Sequence, residues 1–151
     1  AAGGFLELDD GGRPVAAEVE VDLTRMTCED ITDTSMAGML IGHLQSADFF
    51  DVEQYPDASF RLSSATPIDG ANYGQPNFRV EGSISARGQT TPVSLEALIE
   101  PVEDGVVFQS NFDLDRVALG ACYGSGRIFE RLGMHLVNDL VSLDVAAVFA
   151  R

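Results

Sequence analysis

Apolar and polar residues alternate along most of this chain. From Val15, the residues Val15, Ala17, Val19, Val21 and Leu23 take one side, and Ala16, Glu18, Glu20, Asp22 and Thr24 the other. A period of two with one charged face is the pattern of a half-buried antiparallel strand. It returns in Phe60 and Leu62, then in Phe78, Val80, Gly82, Ile84 and Ala86. Val93, Leu95, Ala97 and Ile99 repeat it, followed by Val106, Phe108, Ser110, Phe112 and Leu114. Val141, Leu143, Val145, Ala147 and Phe149 close the series. Gly3–Leu8 predicts a further strand at the start, joined to the next through the turn "DDGGRP". Many strands of this spacing, separated by Gly- or Pro-containing turns, predict an antiparallel sandwich or up-and-down barrel in one domain over residues 1–151.

Two stretches break the alternation. "DTSMAGMLIGHL" places Met36, Met39, Leu40 and His43 at helical spacing, with Asp33, Thr34 or Ser35 available as N-cap. "SGRIFERLGMHL" predicts a short helical turn ending near Gly133. Helical pieces in an all-β chain serve naturally as lids at a barrel end.

Charge narrows the function. The formal charge is −15, and every one of the nine basic residues is Arg. Such a surface cannot neutralise a phosphate backbone, which excludes nucleic acid, and it repels anionic membranes. No apolar run approaches the about 20 residues of a spanning helix. The start "AAGG", without Met or leader, points to a processed or trimmed product. Cys28 and Cys122 lack the clustered spacing of a zinc site and are expected to stay unpaired, as small buried hydrophobes. No metal or cofactor is expected.

The inward set of these strands carries no Lys, Arg, Asp or Glu. It mixes Phe60, Phe78, Phe108, Phe112 and Phe149 with the small residues Gly82, Ala86, Ala97 and Ala147. Large packed against small makes a solid core; alternatively, the small residues leave an apolar tunnel for a long ligand. In the tunnel reading, Phe at position 82 or 97 would fill the space without harming the fold. Alternation alone nominates Phe60, Phe78, Val80, Leu95, Phe108, Phe112, Val141 and Leu143 as its lining.

Three ordered segments carry a resemblance to a known family. "GHLQSADFFDVEQYPDASF", "VEGSISARGQTTPVSLEALI" and "DLDRVALGACYGSGRIFERLGMHLVNDLVSLDV" resemble the signature segments of the YceI-like proteins, lipocalin-like barrels that bind polyisoprenoids. The likeness runs from about Val15 to the end. It implies an antiparallel lipocalin-like β-barrel with a short helical lid, holding a polyisoprenoid or isoprenoid quinone. It further implies a homodimer in the periplasm or otherwise exported, with a cytoplasmic location left open. The family begins with one or two further strands that this stretch lacks or that lie upstream. Under the resemblance, Phe49 and Phe50 anchor the corner after the helix, one plugging the barrel and the other packing beneath the helix. Asp48 and Asp51 would cap backbone N–H groups there, and Leu40 and His43 would face the ligand end.

Catalysis finds little support. His43 with Asp48 suggests an acid–base pair, but no recognisable nucleophile accompanies it. His135 stands alone and reads as structural. Arg116 is the most informative charge: it either holds a ligand head group at a barrel mouth or pairs with Asp113 or Asp115. The competing classes are an enzyme acting on a lipid in the same barrel and a solid-core interaction module.

Overall fold

A computed structural model describes residues 2–130, 133 and 136–150. Seven strands run in chain order through one antiparallel sheet: β1 (Ala2–Leu8), β2 (Pro14–Asp22), β3 (Asp57–Pro67), β4 (Phe78–Ala86), β5 (Gln89–Val102), β6 (Gly105–Asp115) and β7 (Leu140–Ala150). A 3-10 turn, Leu23–Arg25, and the helix α1, Thr34–Gln45, separate β2 from β3. The sheet curls until β1 and β7 come within 8 Å of each other without a hydrogen-bonded register. The fold is thus an all-β, lipocalin-like barrel closed by approach and not by a ladder. Among the described residues, no helix is long and apolar enough to cross a membrane.

The alternation sets which side of each strand faces in, and the register lines those positions up. Val19 stands opposite Phe60, and Phe60 opposite Ile84. Ala65, Val80 and Leu95 form a second row. Phe78, Ala97, Ser110 and Val145 form a third, and Ile99, Phe108 and Ala147 a fourth. A bulge between Leu62 and Ser64 shifts the parity of β3, so Ala65 replaces Ser64 on the inner face. It lies beyond Phe60 and Leu62 and leaves both facing inward. Phe78, Val80, Leu95, Ala97 and Ile99 are the buried centre, and Leu6 and Leu8 of β1 reach across to pack on it.

Turn chemistry fits the sequence at each end. In "DDGGRP" the Asp9 carboxylate accepts from the N–H groups of Gly11 and Arg13 at 2.9 and 2.8 Å. The β4–β5 hairpin turns on Arg87 and Gly88, both at positive φ (52° and 69°), the left-handed pair that a two-residue hairpin requires. The helix opens on Asp33, whose carboxylate accepts from Ser35 and Met36. No residue of α1 is buried, and Met36, Met39 and Leu40 are exposed. The helix meets the barrel mouth through its last turn, not through its apolar length. The helical turn expected over "SGRIFERLGMHL" falls partly on residues outside the described set; 126–128 form a turn.

Gly82 corrects one expectation. A Cβ there would meet the Phe60 ring at 2.5 and 2.6 Å and the Arg61 carbonyl at 2.6 Å. The glycine is the seat of an aromatic ring, so its missing side chain is not tunnel space. Ala97, with no exposed surface, is likewise enclosed by the core.

Candidate functional site

The segment from Gly42 to Phe60 forms a corner at the barrel end where β2, β4 and β6 finish. Helix α1 stops when the Ser46 hydroxyl donates to the His43 carbonyl at 2.7 Å. The chain then folds back, with Phe49 and Asp51 N–H both donating to the Ser46 carbonyl. Asp51 adopts φ +50°, a conformation that Asp tolerates better than most residues. Its carbonyl accepts from Gln54 and Tyr55. Asp48 does not cap backbone: its carboxylate lies 3.2 Å from His43 Nε2.

Phe49 is buried and central to the corner. His43 stands edge-on to it at 5.0 Å, Tyr123 lies 5.5 Å away, and His43 and Tyr123 meet edge-on at 4.7 Å. The Arg116 guanidinium sits 5.5 Å over the Phe49 ring. The β4–β5 turn holds the same corner from another side. Arg87 donates to the Ala47 carbonyl at 2.6 Å and also to that of Phe49. Tyr55 packs against Gly88, where a Cβ would come within 2.9 Å of its ring. Phe49 therefore plugs the mouth, while Phe50 is half-buried beside it.

Arg116 is almost wholly buried, at 3 % exposure. Its guanidinium donates to the carbonyls of Asn138 (2.7 Å), Val137 (3.0 Å) and Ala121, and lies 3.5 Å from Asp139. It thus ties the β6–β7 connection to the end of β6. Neither expected role survives: the donors are spent on the protein, and the carboxylate partner is Asp139, not Asp113 or Asp115. Asp115 pairs with Arg127 at 2.6 Å, and Asp113 accepts from Ser142 at 2.6 Å. Arg127 also reaches Asp139 at 2.7 Å. Hydrogen bonding from Arg127 holds the Asp115 carboxyl below its usual range. The Ser125 hydroxyl, and then Arg127, do the same for Asp139. The Arg127 guanidinium is raised in turn.

Other nominated residues scatter. Phe78, Val80 and Leu95 are buried, and Phe60, Phe108 and Phe112 pack half-buried against them. Leu143 is half-buried, and Val141 is 38 % exposed on the inner face of β7. Leu40, 41 % exposed, lines no interior wall, because α1 buries none of its residues. His43 belongs to the plug. Cys28 and Cys122 are both unpaired and half-buried. Among the described residues, no group of three His, Cys, Asp or Glu could hold a metal; His135 lies outside them. Ser125 is wholly buried and bonded to Asp139, whereas Tyr123, 38 % exposed, stands in edge contact with His43. Sequence reasoning placed Ser110 inward but gave it no role; it is a buried hydroxyl that donates to the Glu96 carbonyl at 2.8 Å. Its place in an otherwise apolar row was the available signal.

Residues 2–149 match the model of the YceI-like domain. UPF0312 proteins of two Pseudomonas putida strains are 32% identical over 88 residues, which is 58% of this chain and 41% of theirs. The match therefore spans less than half the length of these curated relatives. Among solved structures, the YCEI protein of Campylobacter jejuni superposes with a TM-score of 0.72 at 17% identity, over 100% of this chain and 81% of that one. BcnA of Burkholderia cenocepacia gives 0.70 at 19% identity, over 97% and 82%. These likenesses show the same fold.

Proposed function

Because this chain belongs to the YceI-like family, we propose that it binds and carries a long apolar lipid of the isoprenoid type, a polyisoprenoid or isoprenoid quinone, along the inner face of its barrel. One observation carries the reading. The inner wall carries no charged side chain in any register row and is apolar but for hydroxyls such as Ser110, and its β6–β7 half is left half-buried in Phe108, Phe112, Leu143, Val145 and Phe149. Half-exposed apolar wall inside a curled sheet is surface that gains about 25 cal/mol per Å² when an apolar chain covers it. The charge of −15 favours a lipid with an uncharged end, an alcohol or quinone, over a phosphate. The protein acts as a carrier, not an enzyme, since the corner's polar groups are committed to holding the plug. It works in the periplasm or another exported location, as a homodimer.

Organic extraction of purified protein followed by mass spectrometry tests the ligand. The expected result is about one prenyl alcohol or quinone per chain, recovered chemically unchanged. A protein that holds no lipid, and takes up neither a tritiated polyprenol nor a quinone, refutes the carrier. Recovery of an altered lipid favours an enzyme. Light scattering on the eluting protein is expected to give twice the 16.1 kDa chain mass; a clean monomer removes the dimer.

A further inference from the structure

The β5–β6 ladder stops at Ala97 opposite Ser110, although β5 begins at Gln89 and β6 continues to Asp115. Beyond that point the strands part. The Ser110 hydroxyl bonds the Glu96 carbonyl where the ladder ends. The gap holds a cavity of about 220 Å³ lined by Thr91–Ser94, by Phe112–Asp115 and by Leu140. Side chains on either bank lean away from it. Ser94 donates to Glu81 of β4 at 2.7 Å, and Asp113 accepts from Ser142 of β7 at 2.6 Å. The floor is the barrel interior: Val93 is paired across β4 with Gly82, and Phe112 packs on the buried core.

A second parting shows the difference. β2 and β3 also separate, beyond Glu18 opposite Arg61. There Pro14 and Ala17 are buried and Leu6, Leu8 and Ala65 pack on the core, so side chains fill the space. At the β5–β6 seam they do not. The seam also opens beside the mouth that Phe49, Arg116 and Tyr123 stopper, where a chain has no axial way in.

We infer that the seam between β5 and β6 is a lateral portal, through which the apolar chain of an isoprenoid-type lipid slides onto the inner wall. This rests on the carrier reading above, and its test separates the two. Extending the register places Ser94 opposite Asp113, both on the outer face. Ser94→Cys and Asp113→Cys are introduced together, with Cys28 and Cys122 changed to Ser, and are bridged by a bis-methanethiosulfonate reagent that reductant removes. Stopped-flow fluorescence follows uptake of anthraniloyl-geranylgeraniol. Bridging is expected to slow uptake at least ten-fold, with full recovery on reduction and an unchanged final occupancy. A control staple between Arg79→Cys and Glu96→Cys, across the intact β4–β5 ladder, is expected to change nothing. Equal uptake with the seam bridged and open, in a protein that binds the probe, overturns the portal and leaves the carrier standing. A parent protein that takes up no probe overturns both.

Discussion

Gly82→Ala is the sharpest probe of how the closed half of the barrel is packed. The added Cβ would sit 2.5 and 2.6 Å from two Phe60 ring carbons and 2.6 Å from the Arg61 carbonyl oxygen. Ordinary carbon contacts lie at about 3.5–4.0 Å, so the ring must retreat by about 1 Å. A ring can rotate, but a carbonyl held in the β3–β4 ladder cannot, which places the cost in the upper part of the about 1–3 kcal/mol typical of overpacking. Alanine recovers roughly 0.5–1 kcal/mol from the stiffer unfolded chain. The net expectation is a loss of about 1–2 kcal/mol, or a Tm lower by about 2–8 °C in a chain of this size. Thermal unfolding by circular dichroism measures it. In a Phe60→Leu background the ring clash is gone and the carbonyl clash stays, so the same alanine should cost about 1 kcal/mol less. Equal cost in both backgrounds, or a stabilised Gly82→Ala, would refute the idea that Gly82 is the seat of Phe60.

Arg116→Met strands three carbonyls, of which that of Ala121 is buried, and part of Asp139, and urea unfolding should show a loss of about 3–5 kcal/mol. Arg116→Lys should recover little, because an ammonium cannot fork across that many acceptors; a loss under about 1 kcal/mol in the Met variant would contradict the role. The Asp115 and Asp139 carboxyls are held below the usual carboxylate range in the folded protein by Arg127 and Ser125, so their stabilisation is present above the unfolded carboxylate range and is lost as pH falls through the depressed folded values. Arg127→Gln should therefore trail the parent most near neutral pH, with the gap closing in acid as both carboxyls protonate, followed by chemical denaturation across pH; a gap that does not vary with pH would exclude this linkage. Leu143→Glu, on the half-buried inner face of β7, should abolish lipid binding while the fold persists. Val80→Glu, at 1 % exposure, should unfold the protein. Retained binding in folded Leu143→Glu would remove β7 from the ligand wall.

Strand positions and facing were legible because alternation is a local property, and the inward parities assigned from the sequence fit the register that pairs the strands except at Val15. That residue is 59 % exposed, because a bulge in the β1–β2 ladder seats the buried Pro14 opposite Leu8 instead. The one bulge in β3 fell after Leu62, past the residues on which the assignment rested. What stayed hidden was set by partners distant in sequence. Gly82 reads as empty space until Phe60, twenty-two positions earlier by number, is laid against it. Arg116 has acidic neighbours in "DLDRV", yet its partners come from Ala121 and from 137–139, after a long loop has returned. The family resemblance located the Phe49–Phe50 corner, but not that Arg87 and Tyr123 would hold it. Leu40 sits in an apolar stripe at helical spacing, and spacing does not say what covers such a stripe; it is 41 % exposed.

The two halves of the sheet divide the work. β4 and β5 carry the buried centre, with Phe60 of β3 seated half-buried against Gly82, and no ligand is needed to complete this packing. β6 and β7 continue the same uncharged wall in register, yet leave it half-buried. A sheet that buried both halves equally would have little left to gain from a lipid, and one that buried neither would lack a core. The seam lies on the boundary between the two halves, where β5 ends one and β6 begins the other. A chain sliding in there would meet the open wall first and have the packed core behind it. It could therefore bind without displacing Phe78 or Val80, and loading would leave stability in β4 and β5 nearly unchanged while it covers β6 and β7.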